Sequence, residues 1–174
     1  NGALTLTGVN TFGGAAENVT LSAGTLNINN AAALGNAANT FVINGGTLLY
    51  TGPAVSTNRR FTIGASGGTI DASGTGTLAF TNTGSMATTG AGTRTLTLTG
   101  SGNGSLASAI VNQGGNATSL VKSGAGTWTL SGTNTYTGTT AISAGTLQLG
   151  ASNLLSNSTA VTNSGRATFD LNNF

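Results

Sequence analysis

Hydrophobic residues alternate with threonine along much of this chain. In Leu4-Thr5-Leu6-Thr7 the leucines fall on one face of an extended strand and the threonines on the other. Leu96-Thr97-Leu98-Thr99 and Trp128-Thr129-Leu130-Ser131 repeat the pattern. Thr is β-branched and suits the open face of a pleat. A larger unit contains these strands: a short apolar run, a turn ending in Gly, then Thr and an alternating run. Val19-Thr20-Leu21, Ser22-Ala23-Gly24 and Thr25-Leu26-Asn27-Ile28 make one copy. Phe41-Val42-Ile43, Asn44-Gly45-Gly46 and Thr47-Leu48-Leu49-Tyr50 make the next, and Phe61-Thr62-Ile63 leads to Gly68-Thr69-Ile70-Asp71-Ala72. Gly24, Gly46 and Gly68 are 22 residues apart. Later units follow Gly145 and run from Gly165 to Leu171, while those at Gly92 and Gly126 come at longer intervals. The stretch 84–120 is the richest in Gly, Ser and Asn and the least patterned.

A period of this length, built of two or three short strands with Gly, Asn and Ser corners, is one turn of a parallel β-helix. The expected fold is therefore all-β, a parallel solenoid of about eight rungs. At roughly 4.8 Å per rung it makes a rod on the order of 40 Å long. Corners need a positive φ or a close backbone approach, and Gly allows both. The rival is an antiparallel sandwich, whose hairpins favour Asn-Gly turns. Asn44-Gly45 and Asn103-Gly104 fit that pattern, but most corners read Ala-Gly or Ser-Gly, and the fixed register of the 22-residue units favours the solenoid.

The chain also writes one passage twice. Residues 2–12 read G-A-L-T-L-T-G-V-N-T-F, and residues 126–136 read G-T-W-T-L-S-G-T-N-T-Y. Each is followed by a second shared phrase, L-S-A-G-T-L-N-I at 21–28 and I-S-A-G-T-L-Q-L at 142–149. The passage from Gly124 to Thr140, continued by Ile142 to Leu147, resembles the autotransporter-associated β-strand repeat of bacterial passenger domains and similar giant surface proteins. Residues 2–28 resemble it again, with an insertion around Ala15 to Asn18, and Ala167 to Phe174 is similar to the passage that follows such repeats. The resemblance implies a right-handed parallel β-helix exported to the bacterial cell surface, with scaffold rather than enzyme character. It also implies an outer-membrane barrel, which this chain does not contain. Residues 1–174 read as a single β-helix segment with an internal repeat, 2–50 resembling 126–171. The first residue is Asn and both ends fall within strand-like text, so the segment is expected to belong to a longer chain.

Composition narrows the chemistry. Gly supplies 29 of 174 residues and Pro one, which excludes collagen. There is no Cys and no His, which removes disulfides, thiolate nucleophiles and most transition-metal sites. The net charge of +2 comes from five bases against three acids. Only Arg59 and Arg60 are adjacent, so the clustered bases that phosphate binding requires are missing and no nucleic-acid partner is expected. No apolar run reaches the 18 residues of a transmembrane helix.

The acids are Glu17, Asp71 and Asp170. Glycoside cleavage needs two carboxylates within roughly 5–10 Å. Asp71 and Asp170 lie about four rungs apart at outward positions beside inward Ile70 and Leu171. Asp71 with Arg59 or Arg60 one rung earlier reads as a surface ion pair, or less readily as a polysaccharide-cleaving centre. A calcium loop would need several carboxylates together. Gly100-Ser101-Gly102-Asn103-Gly104 lacks the Lys and the helix of a phosphate loop and reads as a corner. The Asn-x-Ser/Thr triplets at Asn18, Asn103, Asn116 and Asn157 are expected by chance in such text. Trp128 and Tyr136 are large amphipathic aromatics near each other, of the kind that stack on a sugar when exposed; Trp128 alternates in phase with Leu130, which favours the core, and Tyr136 is a candidate for a corner. Thr5/Thr7, Thr95/Thr97/Thr99 and Thr127/Thr129 form outward arrays of the kind that can bind ice, but they do not fall on consecutive 22-residue rungs.

The sequence thus predicts a non-catalytic extracellular rod or fibre for adhesion, aggregation or matrix, with no cofactor, metal or catalytic residue. Self-association through rod ends or neighbouring repeats is expected. The alternatives are an adhesin with a glycan or cell-surface ligand and a β-helical polysaccharide-degrading enzyme.

Overall fold

The computed structural model describes residues 2–11, 17–36 and 38–174. The backbone winds in laps around a three-faced core, and each strand pairs in parallel with the strand one lap away. β1 (Ala3–Leu6) opens on the face we label sheet A. β2 (Asn18–Leu21) lies on sheet B and β3 (Thr25–Ile28) returns to A, before a 3₁₀ turn at Ala31–Leu34. Three laps then run B, A, C. They are β4 (Thr40–Ile43), β5 (Thr47–Tyr50) and β6 (Val55–Thr57); β7 (Phe61–Ile63), β8 (Gly68–Ala72) and β9 (Leu78–Phe80); β10 (Ala87–Thr88), β11 (Arg94–Thr99) and β12 (Gly104–Leu106). The last three laps use A and C alone: β13 (Thr118–Lys122) and β14 (Thr127–Leu130), β15 (Thr140–Ile142) and β16 (Thr146–Leu149), β17 (Val161–Asn163) and β18 (Thr168–Asp170).

The solenoid therefore has about seven turns, slightly fewer than the eight expected. The difference lies at the start. Among the described residues β1 stands alone ahead of the first B–A pair, so sheet A holds eight strands while sheet B holds four and sheet C six. The poorly patterned stretch 84–120 folds into the same ladders: Arg94 to Leu98 pair with Thr118 to Lys122, and Gly104 to Leu106 pair with Leu78 to Phe80.

Inward positions stack into columns because the side-chain period is two and the register is held from lap to lap. On sheet A one column runs Leu26, Leu48, Ile70, Leu98, Lys122, Ile142. On sheet C another runs Val55, Leu78, Gly104, Trp128, Leu147, Phe169. Gly104 is explained by its neighbour: a Cβ there would lie 2.5 Å from the Trp128 ring. The largest core side chain is accommodated by removing the side chain above it. Between sheets B and C, the rings of Phe61 and Phe80 meet edge to face at 5.2 Å.

The corner glycines divide the two roles expected of them. Gly67 takes the left-handed φ of +74°, whereas Gly68 begins β8 and leaves room for Ile43, whose Cγ2 would lie 2.5 Å from an added Cβ. The Gly-Gly pair thus supplies a backbone reversal and then a close approach.

Candidate functional site

Asp71 and Asp170 are not set against each other. Asp71 is on sheet A and accepts a hydrogen bond from Ser73 Oγ at 2.5 Å. Asp170 is on sheet C and accepts from Gln148 Nε2 at 2.9 Å and from the backbone N–H of Asn172 at 2.8 Å. The Asn172 N–H, then Gln148, hold its carboxyl below the usual carboxylate range. Its expected inward neighbour Leu171 is half exposed, because β18 is the last strand of sheet C. The ion pair anticipated between Asp71 and Arg59 or Arg60 is replaced by other contacts. Arg59 is buried and donates to the carbonyls of Asn39, Gly35 and Asn36 at 3.1, 3.0 and 2.8 Å. Arg60 is exposed and donates to the Ser85 carbonyl at 2.6 Å.

The Gly100–Gly104 segment is a corner, and two of its donors are engaged by the lap before. Gly102 N–H binds the Ala72 carbonyl at 2.8 Å and Ser101 N–H binds Ser73 Oγ at 3.3 Å. The segment leads into β12, so no helix N-terminus stands behind it as it would in a phosphate loop. Trp128 is fully buried, with Nε1 donating to the Thr99 carbonyl at 2.9 Å, as its phase with Leu130 required. Tyr136 is also buried, its hydroxyl bonded to Thr140 Oγ1, and burial pushes its phenol up to about 12. The threonine arrays do not align: Thr95, Thr97 and Thr99 are on sheet A, while Thr127 and Thr129 are on sheet C. A different column does form, Thr25, Thr47, Thr69 and Thr97 on four successive strands of sheet A. It is one residue wide, and Asn27, Leu49, Asp71 and Thr99 stand beside it.

The sequence reading missed the buried cations. Lys122 occupies the inward column of sheet A and is fully buried. Its Nζ donates to the carbonyls of Ser123, Gly124 and Ala144 at 2.7, 2.8 and 3.0 Å, so one ammonium clips two stacked corners. Arg94 donates to the carbonyls of Ile63, Thr89, Gly90 and Gly92. Burial lowers the pKa of Lys122, Arg94 and Arg59 from their usual values. The signal was present in the alternation: Thr118, Leu120 and Lys122 share one face, and so do Arg94, Leu96 and Leu98.

Asn134 was also missed, although it stands at the same place in both copies of the repeated phrase. It fills the side where the last laps have no sheet B strand. Its Oδ1 accepts from Ile110 N–H at 2.8 Å in the lap before, and its Nδ2 donates to Leu154 O at 2.9 Å in the lap after. Asn10, its counterpart, donates from Nδ2 to Ala33 O at 3.1 Å.

Clefts of about 260 to 550 Å³ open on the rod, and two of them bear on binding. An apolar one of about 550 Å³ is lined by Leu4, Leu6, Val19, Leu21 and Phe41. Its walls include core-facing positions of the first described strands, so it lies at the β1 end of the core rather than in the side of the rod. A polar cleft of about 320 Å³ lies beside sheet B, between Asn39 and Thr40 on one side and Asn58, Arg60 and Asn82 on the other, with Thr62 among its lining residues. Among the described residues no group of three or more His, Cys, Asp or Glu could hold a metal ion, and no helix is long and apolar enough to cross a membrane.

Comparison with known proteins adds the biological setting. Residues 1–28 and 120–149 match the passenger-associated-transport-repeat family. The chain is 42% identical over 84 residues to the adhesin BmaC autotransporter of Brucella suis biovar 1 (strain 1330), a stretch covering 47% of this chain and 2% of that relative. No solved structure matches the chain. Repeat and relative together place it among secreted, cell-surface proteins. The twice-written passage is thus an autotransporter passenger repeat, present at 1–28 and 120–149 and built into a parallel β-solenoid.

Proposed function

We propose that this segment is a non-catalytic structural part of a bacterial surface adhesin, a stiff spacer whose outer faces carry the contacts. The observation that supports this most is the unbroken parallel ladder. Sheet A alone runs through eight strands, so the segment resists bending and adds length for each lap. The adhesin relative supports the setting. The acids support the non-catalytic part: Asp71 and Asp170 belong to different sheets and are each engaged by a neighbouring polar side chain.

The finer reading is a rod or fibre that promotes adhesion, aggregation or matrix formation, joined to further laps or to other copies through its ends. The apolar cleft at Leu4 and Phe41 supports end contact, because it offers core-type surface beside the outer edge of β1. Deleting residues 1–174 from the full-length protein on its native cell should shorten the surface projections seen by electron microscopy and reduce attachment. Projections and attachment that are unchanged would refute the proposal. Incubating the purified chain with polygalacturonate should release no new reducing ends.

A further inference from the structure

We infer that the polar cleft beside sheet B binds the anionic group of an acidic saccharide. The inference rests on the adhesive reading above and names the ligand chemistry. Of the two guanidinium groups there, Arg59 is buried and spent on the carbonyls of Gly35, Asn36 and Asn39. It ties the loop before β4 to the strand ends below, and so fixes one wall. Arg60 lies at the exposed lip, held at one nitrogen by the Ser85 carbonyl. A guanidinium carries five N–H donors in a rigid fork, so most of its donors remain for a planar anion.

The rest of the lining matches sugar hydroxyls. Asn58 and Thr40 are exposed at the cleft, and Thr62 lies at its base. Asn82 is fixed by donating to Asn58 O at 3.2 Å and accepting from Gly84 N–H at 2.9 Å, and its second amide hydrogen is left for a ligand. No lining residue is acidic, so the cation at the lip faces no competing carboxylate. A single exposed cation among amides and hydroxyls suits one carboxylate or sulfate on a sugar. A nucleic acid would call for a run of bases and stacking aromatics, and the lining has neither.

The test is a titration of the whole ¹⁵N-labelled chain, followed by NMR, with trigalacturonate, a sulfated galactose disaccharide and neutral galactotriose at matched ionic strength. Saturable shifts in the side-chain amides of Asn58 and Asn82 are expected with an anionic sugar and not with galactotriose. The tighter of the two anionic probes identifies whether carboxylate or sulfate is the natural group. Arg60→Gln should weaken binding by about tenfold with the fold intact. Arg166→Gln, at an exposed arginine elsewhere, should leave it unchanged. Failure of both anionic probes to shift these amides by about 10 mM overturns the proposal. Equal losses in the two variants overturn it as well, since they mean diffuse attraction to a cationic surface. If no sugar binds while the full-length protein still attaches bacteria to their target, the cleft assignment falls and the adhesive reading stands.

Discussion

The two copies of the repeat carry nearly the same words and meet different surroundings. Leu4 in the first copy is 57% exposed, and its counterpart Trp128 in the second is 0% exposed. The strand of the first copy, β1, pairs with β3 and is the edge of sheet A, whereas β14 lies between β12 and β16. The copies also occupy different faces. The phrase T-L-N-I at 25–28 is on sheet A after a corner from sheet B, while T-L-Q-L at 146–149 is on sheet C after a corner from sheet A. The repeat therefore encodes a strand, a Gly corner and a second strand, and its two copies are mounted on different faces of the prism. Burial comes from the laps on either side.

Four measurements would break or sharpen that comparison. The largest effect belongs to the paired truncation. Trp128→Ala should cost about 3–5 kcal/mol, since it empties a fully packed column and orphans the Thr99 carbonyl. Leu4→Ala should cost less than about 1 kcal/mol. Urea unfolding gives the totals, and hydrogen exchange should show the loss at Leu4 confined to the first lap, as expected when each lap contacts only its neighbours. Comparable losses at both sites would contradict the account.

The second effect is in pH. Tyr136 has its phenol pushed up to about 12, while the corresponding residue of the first copy is Phe12, outside the described residues. Between pH 10 and 12 the unfolded chain ionises this group and the folded chain does not, so the folded state binds more protons and stability falls as pH rises. The loss should approach roughly 2–3 kcal/mol by the upper end of that window. Tyr136→Phe should flatten the alkaline limb of a denaturation series by that amount.

Third, Lys122→Met should destabilise by about 2 kcal/mol, because it leaves three corner carbonyls without their donor. Ile142, one lap later in the same column, already shows that the space accepts an apolar side chain. A neutral result would mean that solvent satisfies those carbonyls as well as the ammonium does. The smallest contrast is at the shared asparagine. Asn134→Ala should cost about 1–2 kcal/mol, and Asn10→Ala about half of that, because Asn134 is buried and bonded on both sides. Thermal unfolding of the two variants checks it.

Much of the fold was legible from residues 19–72, where Thr25, Thr47 and Thr69 keep a fixed spacing and become partners in the ladder. Legibility failed where laps change length. Between β8 and β13 the intervals grow, and the extra residues form loops such as Gln113 to Asn116, whose paired backbone bonds leave no trace in hydrophobic periodicity. The buried cations were hidden for another reason. Charge marks a residue as solvent-facing, and alternation places Lys122 inside; alternation prevails because the corner carbonyls it reaches need a donor as much as the ammonium needs acceptors. The polar cleft was visible only as the dipeptide Arg59-Arg60. Nothing local said that one arginine turns into the wall and the other stays at the lip.

Alternation by two, a period near 22 residues and glycine at the corners are local properties, and they were enough to determine a parallel, lap-by-lap backbone with an apolar face turned inward along each strand. Which face each copy of the repeat occupies, which core position is a lysine's, and which of two adjacent arginines meets solvent were decided by the tertiary structure. Those outcomes depend on what the laps before and after supply, in space for a ring, carbonyls for a cation or a strand edge left open, and such partners lie about 20 residues or more away along the chain.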